Sequence, residues 1–135
     1  LRKVGSFPSF YGMSIVSGEV AAKILGEQVR GLAVAQVMPF PWWKGSAELT
    51  AYLQALAAVP GGVNYYSIEG WIAAQLLIEG LRRCGRDLTR PRFAAALRGL
   101  KTHIAGLDLD FTGGRQTGSR FVELVQVRAD GSFVR

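Results

Sequence analysis

A chain of 135 residues, 49% apolar and 19% charged, with 17 Gly and 5 Pro, has the length of one domain and a globular composition, which excludes collagen, a coiled coil and outright disorder. Its best apolar stretch, Ile68 to Leu81, is broken by Glu69, Gly70, Gln75 and Glu79, so no run reaches the ~18 residues that cross a bilayer. The net charge of +6 sits in one window, Arg82 to Lys101, where seven basic residues meet a single acidic one, Asp87; the rest of the chain sums to zero.

In chain order, Val4 to Ile15 mixes apolar residues with Gly5, Pro8 and Gly12 and predicts a short strand and loop. Ser17 caps a first helix in which Val20, Ala21, Ile24 and Leu25 share one side and Gly26 is the stop. Leu32 to Met38 reads as a strand covered on both faces. Pro39, Pro41, Trp42 and Trp43 end it, and this step is the best candidate for a passage between structural units.

Ser46 and Glu48 open a second helix with Leu49, Tyr52, Leu53 and Leu56 at helical spacing, closed by Pro60, Gly61 and Gly62. Ser67 is expected to cap the longest helix, Ile68 to about Arg83, apolar around most of its circumference and so the most buried element. Gly85 ends it. Thr89 caps a fourth helix with the stripe Phe93, Leu97 and Leu100. From Leu107 the period becomes two, Leu107, Leu109 and Phe111 alternating with Asp108 and Asp110, which marks a half-exposed strand. Arg120 to Arg128 reads as a strand, Asp130 and Gly131 as a two-residue type I′ turn, and Ser132 to Val134 as the returning strand. Four helices and about five strands in this order indicate an α/β fold.

Chemistry-bearing residues are sparse. The single His103 follows a helix in a polar neighbourhood and reads as a surface or loop residue. Cys84 reads as a packing residue; one cysteine forbids an internal disulfide and a cysteine-cluster metal site, so no metal or cofactor is called for. The segment from Thr112 to Arg115 is not followed by a helical pattern, so it lacks a phosphate-cradling geometry. The basic window holds one aromatic, Phe93, and nucleic acid is not an expected partner. Trp42, Trp43, Tyr65 and Tyr66 are placed in loops, where they either enclose a small ligand or cover helix ends.

The order of four segments carries a resemblance. Gly12 to Pro41 (GMSIVSGEVAAKILGEQVRGLAVAQVMPFP), Ser67 to Leu81 (SIEGWIAAQLLIEGL), Arg82 to Leu97 (RRCGRDLTRPRFAAAL) and the closing GSRFVEL with ADGSFV together resemble the periplasmic solute-binding proteins of branched-chain amino acid ABC transporters, the leucine/isoleucine/valine-binding type. The resemblance spans nearly the whole chain. It implies a type I periplasmic-binding-protein-like, two-lobed α/β fold of which only the C-terminal part is present. The start at Leu1, without Met or an export leader, agrees with a processed product or a fragment. Residues 1–38 are then the end of the second lobe and a hinge strand, 39–106 the helical part of the first lobe, and 107–135 a return crossing and hairpin of the second lobe.

By the same resemblance the function is capture of a small solute (an amino acid, amide or aromatic carboxylate) for a membrane permease in the periplasm, without bond-breaking chemistry. A ligand-sensing regulatory domain of the same fold is the other reading. Met13 and Ser14 follow the first strand where relatives place an acidic group on a ligand ammonium; a Ser14 hydroxyl cannot neutralise an ammonium in a site that excludes water, which favours a carboxylate, amide or aromatic solute. Tyr65, Tyr66 and Ser67 face the ligand from the first lobe, and Trp42 touches either ligand or lobe. Helix faces such as Trp71, Ile72 and Leu76 are expected to lie uncovered, calling for the missing N-terminal part or self-association of the fragment.

Overall fold

The structure, a computed structural model, describes residues 4–5 and 8–135. Its elements in order are β1 (Tyr11–Met13), α1 (Gly18–Leu25), β2 (Ala33–Gln36), α2 (Thr50–Leu56), α3 (Tyr65–Cys84), α4 (Arg90–Arg98), β3 (Lys101–Ile104), β4 (Leu107–Asp110), β5 (Glu123–Val127) and β6 (Phe133–Val134). Short 3-10 turns, Gly26–Val29 and Ala47–Leu49, follow α1 and precede α2. Of the strand and loop expected over residues 4–15 only β1 is regular, and residues 6–7 lie outside the described residues. The chain divides into two compact units, one formed by the segment ending at Val37 together with Val122–Arg135, the other by Met38–Phe121.

The first unit is a four-stranded sheet in the order β1-β2-β5-β6, with β1 parallel to β2 and the remaining pairs antiparallel. The parallel pair is joined through α1, as a parallel connection requires a crossover. Ser17 does cap α1, its side chain accepting from the Val20 amide, and Glu19 in the first turn and Lys23 in the last complement the helix dipole. Val34, Val125 and Val127 are fully buried, and Val29 and Ala33 join them in the core. The apolar side of α1 is not part of that core. Val20, Ile24 and Leu25 are exposed, as are Tyr11 and Met13 on the edge strand β1.

The β5–β6 turn differs from its expected form. Gly131 has φ of 82° and Asp130 does not adopt positive φ, while the Arg128 amide bonds to the Ser132 carbonyl (2.8 Å) and the Gly131 amide to the Arg128 carbonyl (3.0 Å). This is a three-residue loop, a type I turn closed by a left-handed glycine. Asp130 serves it through its side chain, accepting from the Ser132 amide and hydroxyl, and these bonds hold its carboxyl below the usual range.

The second unit packs α2 and α3 with the β3–β4 hairpin around Leu49, Tyr52, Ile68, Ile72, Ala105, Leu107 and Leu109. Trp71 and Leu76 lie half-buried against this cluster and Ile72 is buried, so the expectation of an uncovered Trp71, Ile72 and Leu76 face is corrected: the hairpin and α2 supply the cover. Instead, α3 leaves Leu77, Ile78 and Leu81 exposed, because its neighbours shield one side only. Gly80 is where α4 approaches α3, with the Leu97 and Phe93 side chains over its Cα.

Two boundaries are also corrected. Asn64, not Ser67, caps α3, whose first residue is Tyr65; and Ser46 makes no side-chain cap, so the chain enters α2 through the 3-10 turn. The strand expected to leave for the other lobe, Leu107 to Phe111, pairs antiparallel with β3 through Ala105 (φ 52°) and Gly106 (φ 83°), and the second unit continues to Phe121. That pair of positive-φ residues makes the tight two-residue turn whose twist suits a hairpin.

Candidate functional site

The chain enters the second unit through Phe40, the fully buried Pro41 and Trp42. Phe40 and Trp42 meet edge to face (5.2 Å, 62°), and both reach Tyr65 at the start of α3, at 6.4 Å and 5.6 Å. Offset edge-on contacts of this kind are each favourable beyond the area they bury. Tyr65 is buried beneath the group, whereas Trp42 is 37% and Tyr66 56% exposed. An aromatic wall therefore stands on the opening turn of a 20-residue helix, with two rings open to solvent.

The wall rests on a polar knot. The Ser67 amide donates to Asn64 Oδ1 (2.8 Å) and the Asn64 amide to Ser67 Oγ (3.0 Å), a reciprocal capping box. Tyr52, fully buried on α2, brings its hydroxyl to Ser67 Oγ (2.7 Å) and to the Asn64 carbonyl (3.1 Å). Asn64 Nδ2 further donates to the Gly61 carbonyl (2.9 Å). The Ser67 hydroxyl is thus engaged inside the knot, and what it fixes is the position of the Tyr65–Tyr66 turn.

Of the residues singled out from the sequence, Trp42, Tyr65, Tyr66 and Ser67 are brought together in the second unit. Tyr65 and Tyr66 occupy the first helical turn rather than a loop. Met13 and Ser14 belong to the first unit, at the end of β1 and in the turn after it, where the Val16 amide bonds to the Met13 carbonyl (2.9 Å); Met13 is 72% exposed and Ser14 half-buried. Phe40, Tyr52 and Asn64 were not anticipated. Asn64 carried a usable signal, an Asx residue three positions before Ser67.

A second polar cluster lies on β3. His103 places Nδ1 2.6 Å from Asp108 Oδ1 on β4 and Nε2 3.0 Å from Glu48 Oε2 in the turn before α2. Only the imidazolium can donate to both carboxylates. The hydrogen bond to Asp108, then that to Glu48, raises its pKa above 6.5. A raised folded-state pKa stabilises the fold fully below about 6.5, the ordinary His value, and that contribution is lost as pH rises through the higher folded value. The His103 ring is therefore expected to titrate above 6.5 by NMR, and Glu48→Gln or Asp108→Asn to move it down; a wild-type midpoint at or below 6.5 would contradict the bridging geometry. His103 and Glu48, but not Asp108, border a groove of about 320 Å³ lined also by Trp71, Gln75, Glu79, Arg82 and Thr102, which contains none of the site residues named from the sequence.

Among the described residues no group of three or more His, Cys, Asp or Glu is arranged to hold a metal ion, and no helix is long and apolar enough to cross a membrane. The arrangement offers aromatic surface and a rigid helix start, the means of recognition.

The periplasmic binding protein family model matches residues 1–132. The chain belongs to the periplasmic binding protein family. Its mixed α/β architecture aligns with a substrate-binding periplasmic protein from Ralstonia solanacearum at TM-score 0.79 and 31% identity over 98% of this chain and 39% of that one. An extracellular ligand-binding receptor from Verminephrobacter eiseniae aligns at TM-score 0.80 and 25% identity over 99% of this chain and 39% of that one. A possible leucine/isoleucine/valine-binding protein from Rhodopirellula baltica shares the fold at TM-score 0.82 and 24% identity, over 98% and 37%. No curated protein matches the chain. This periplasmic binding protein chain thus has the type I fold, and it spans 37% to 39% of the length of those three solved structures. The family is a solute-binding, non-enzymatic one.

Proposed function

We propose that the chain is part of the solute-binding component of an ABC transporter, holding a small amino acid, amide or aromatic carboxylate in the periplasm for a membrane permease, and that it catalyses no reaction. The observation that carries this is the aromatic wall: Trp42 and Tyr66 are partly exposed to solvent, Trp42 packs edge-on against the buried Tyr65, and the Asn64–Ser67 box fixes the turn on which the two tyrosines stand. Preorganised aromatic surface binds at low entropic cost because little is left to order. In the first unit, taken by itself, a hydroxyl at Ser14 suits a carboxylate or amide better than an ammonium.

A thermal-shift screen of amino acids, amides and aromatic acids tests this reading. At 100 times its dissociation constant a ligand adds about 2.7 kcal/mol of stability. Tyr66→Ala is expected to abolish the shift given by any hit while leaving the unliganded melting temperature within a degree or two, since the side chain is exposed. A shift that survives Tyr66→Ala and Trp42→Ala together would remove the wall from the site, and a response to leucine-like ligands alone would overturn the reading of Ser14. The exposed Tyr11, Met13, Val20 and Ile24 of the first unit are where further chain of a longer protein, or a second copy, would bind. A monodisperse monomer in sedimentation would count against a second copy.

A further inference from the structure

The net charge of the chain lies on one stretch of the second unit, and the needs of the fold do not account for its placement. Arg82 and Arg83 occupy the last turn of α3, where cations are favourable, but Arg90 and Arg92 open α4, whose first turn holds no acidic residue. Cations there oppose the helix dipole. Arg83 is paired with Glu79 (3.1 Å) and Arg92 with Asp87 (2.8 Å), while Arg82, Arg86, Arg90 and Arg98 make no ion pair among the described residues. The stretch is continuous, since Arg83 Nη2 donates to the Lys101 carbonyl (3.1 Å) and Phe93 and Leu97 pack over Gly80. In the α3–α4 connection, flanked by these arginines, Leu88 stands 56% exposed.

We propose that the α3–α4 connection docks on an anionic lipid bilayer, with Arg82, Arg86, Arg90 and Arg98 against the headgroup phosphates and Leu88 at the acyl boundary. Basic residues around a protruding apolar side chain are the combination that interfacial binding uses, charge for attraction and a small apolar insertion for residence. Single-stranded nucleic acid fits less well. The stretch holds a single aromatic, Phe93, which is half-buried with its ring edge over Gly80, where nucleic-acid binding would want several stacking rings.

Co-sedimentation of the chain with phosphatidylglycerol/phosphatidylcholine vesicles tests the docking. Binding is expected to the anionic vesicles and not to pure phosphatidylcholine, and to weaken as salt rises. Each arginine is worth about fivefold in partitioning, so the quadruple variant Arg82→Gln, Arg86→Gln, Arg90→Gln and Arg98→Gln should lose at least a hundredfold. Leu88→Ser should lose a further severalfold with charge unchanged. Lys23→Gln with Lys44→Gln, which lowers the net charge away from the stretch, should lose less than the first two substitutions of the quadruple set. Circular dichroism of each variant establishes that it is folded. No vesicle binding at low salt, equal losses from the two sets of lysine and arginine variants, or tight retention on heparin without vesicle binding would each overturn the proposal. None of these readouts depends on a solute.

Discussion

Tyr52→Ala is expected to remove about 3–5 kcal/mol, the usual result of truncating a fully buried aromatic side chain, a large share of the 5–15 kcal/mol that a domain has in total. The reason is position. Tyr52 is fully buried, joins the core of the second unit, packs edge-on against Trp71 (6.0 Å, 67°) and ties α2 to the α3 cap through Asn64 and Ser67. Tyr52→Phe separates these roles: the ring stays, the hydroxyl goes, and a loss of about 1–2 kcal/mol should follow because the Asn64 amide (3.2 Å) and Ser67 hydroxyl each lose a partner. The measurement is convenient because all three tryptophans, Trp42, Trp43 and Trp71, lie in the second unit. Urea midpoints followed by their fluorescence report that unit, and a shift worth under 1 kcal/mol for Tyr52→Ala would show that the knot does not anchor the helix start.

What could be read from the sequence was mostly local. The first helix was legible because its cap and stop, Ser17 and Gly26, and the spacing of Val20, Ala21, Ile24 and Leu25 all lie within ten residues and agree with one another. The alternation from Leu107 to Asp110 gave a half-buried strand for the same reason, and Leu107 and Leu109 are buried. Pairing was harder. Ala105 carries a left-handed φ that alanine disfavours, so nothing resembling Asn-Gly marked the β3–β4 turn, and the pairing of the strand after it with Lys101–Ile104 was not anticipated. At Asp130–Gly131 the turn dipeptide was present and the hairpin was found, but the side chain of Asp130 selected a longer loop.

The candidate site shows the same division. Paired aromatics at Trp42 and Tyr65 could be noticed in the sequence, but their contact depends on Phe40 between them and on a helix that starts three residues before Ile68, the expected first residue. Ser67 was expected as the cap and is instead the third residue of the helix, returning its hydroxyl to the Asn64 amide; that this hydroxyl also reaches Tyr52, fifteen positions away on another helix, had no local signal. His103 read as a surface residue and is one. Its bridge to Glu48 links segments 55 residues apart, a distance over which no spacing rule operates.

Gly18→Ala is expected to destabilise the first unit by about 2 kcal/mol or more, against the ordinary tendency of that substitution in a helix. Gly18 opens α1 and is buried; a Cβ there would strike the Gly131 carbonyl oxygen and lie 3.0 Å from Phe133 Cζ. The obstructing oxygen belongs to the backbone of the tight β5–β6 loop, which cannot move aside as a side chain can. The gain of about 1 kcal/mol from helix propensity is the smaller effect. Gly70→Ala is the internal comparison: it lies within α3, nothing comes within 4 Å of its added Cβ, and it should stabilise by about 1 kcal/mol. Amide exchange of Arg128 should accelerate in Gly18→Ala, since it donates to the Ser132 carbonyl across the hairpin that the loop closes. Opposite signs for one chemical change at two helical glycines would establish that the hairpin loop seats directly on the start of α1; equal signs would show that this close approach relaxes without cost.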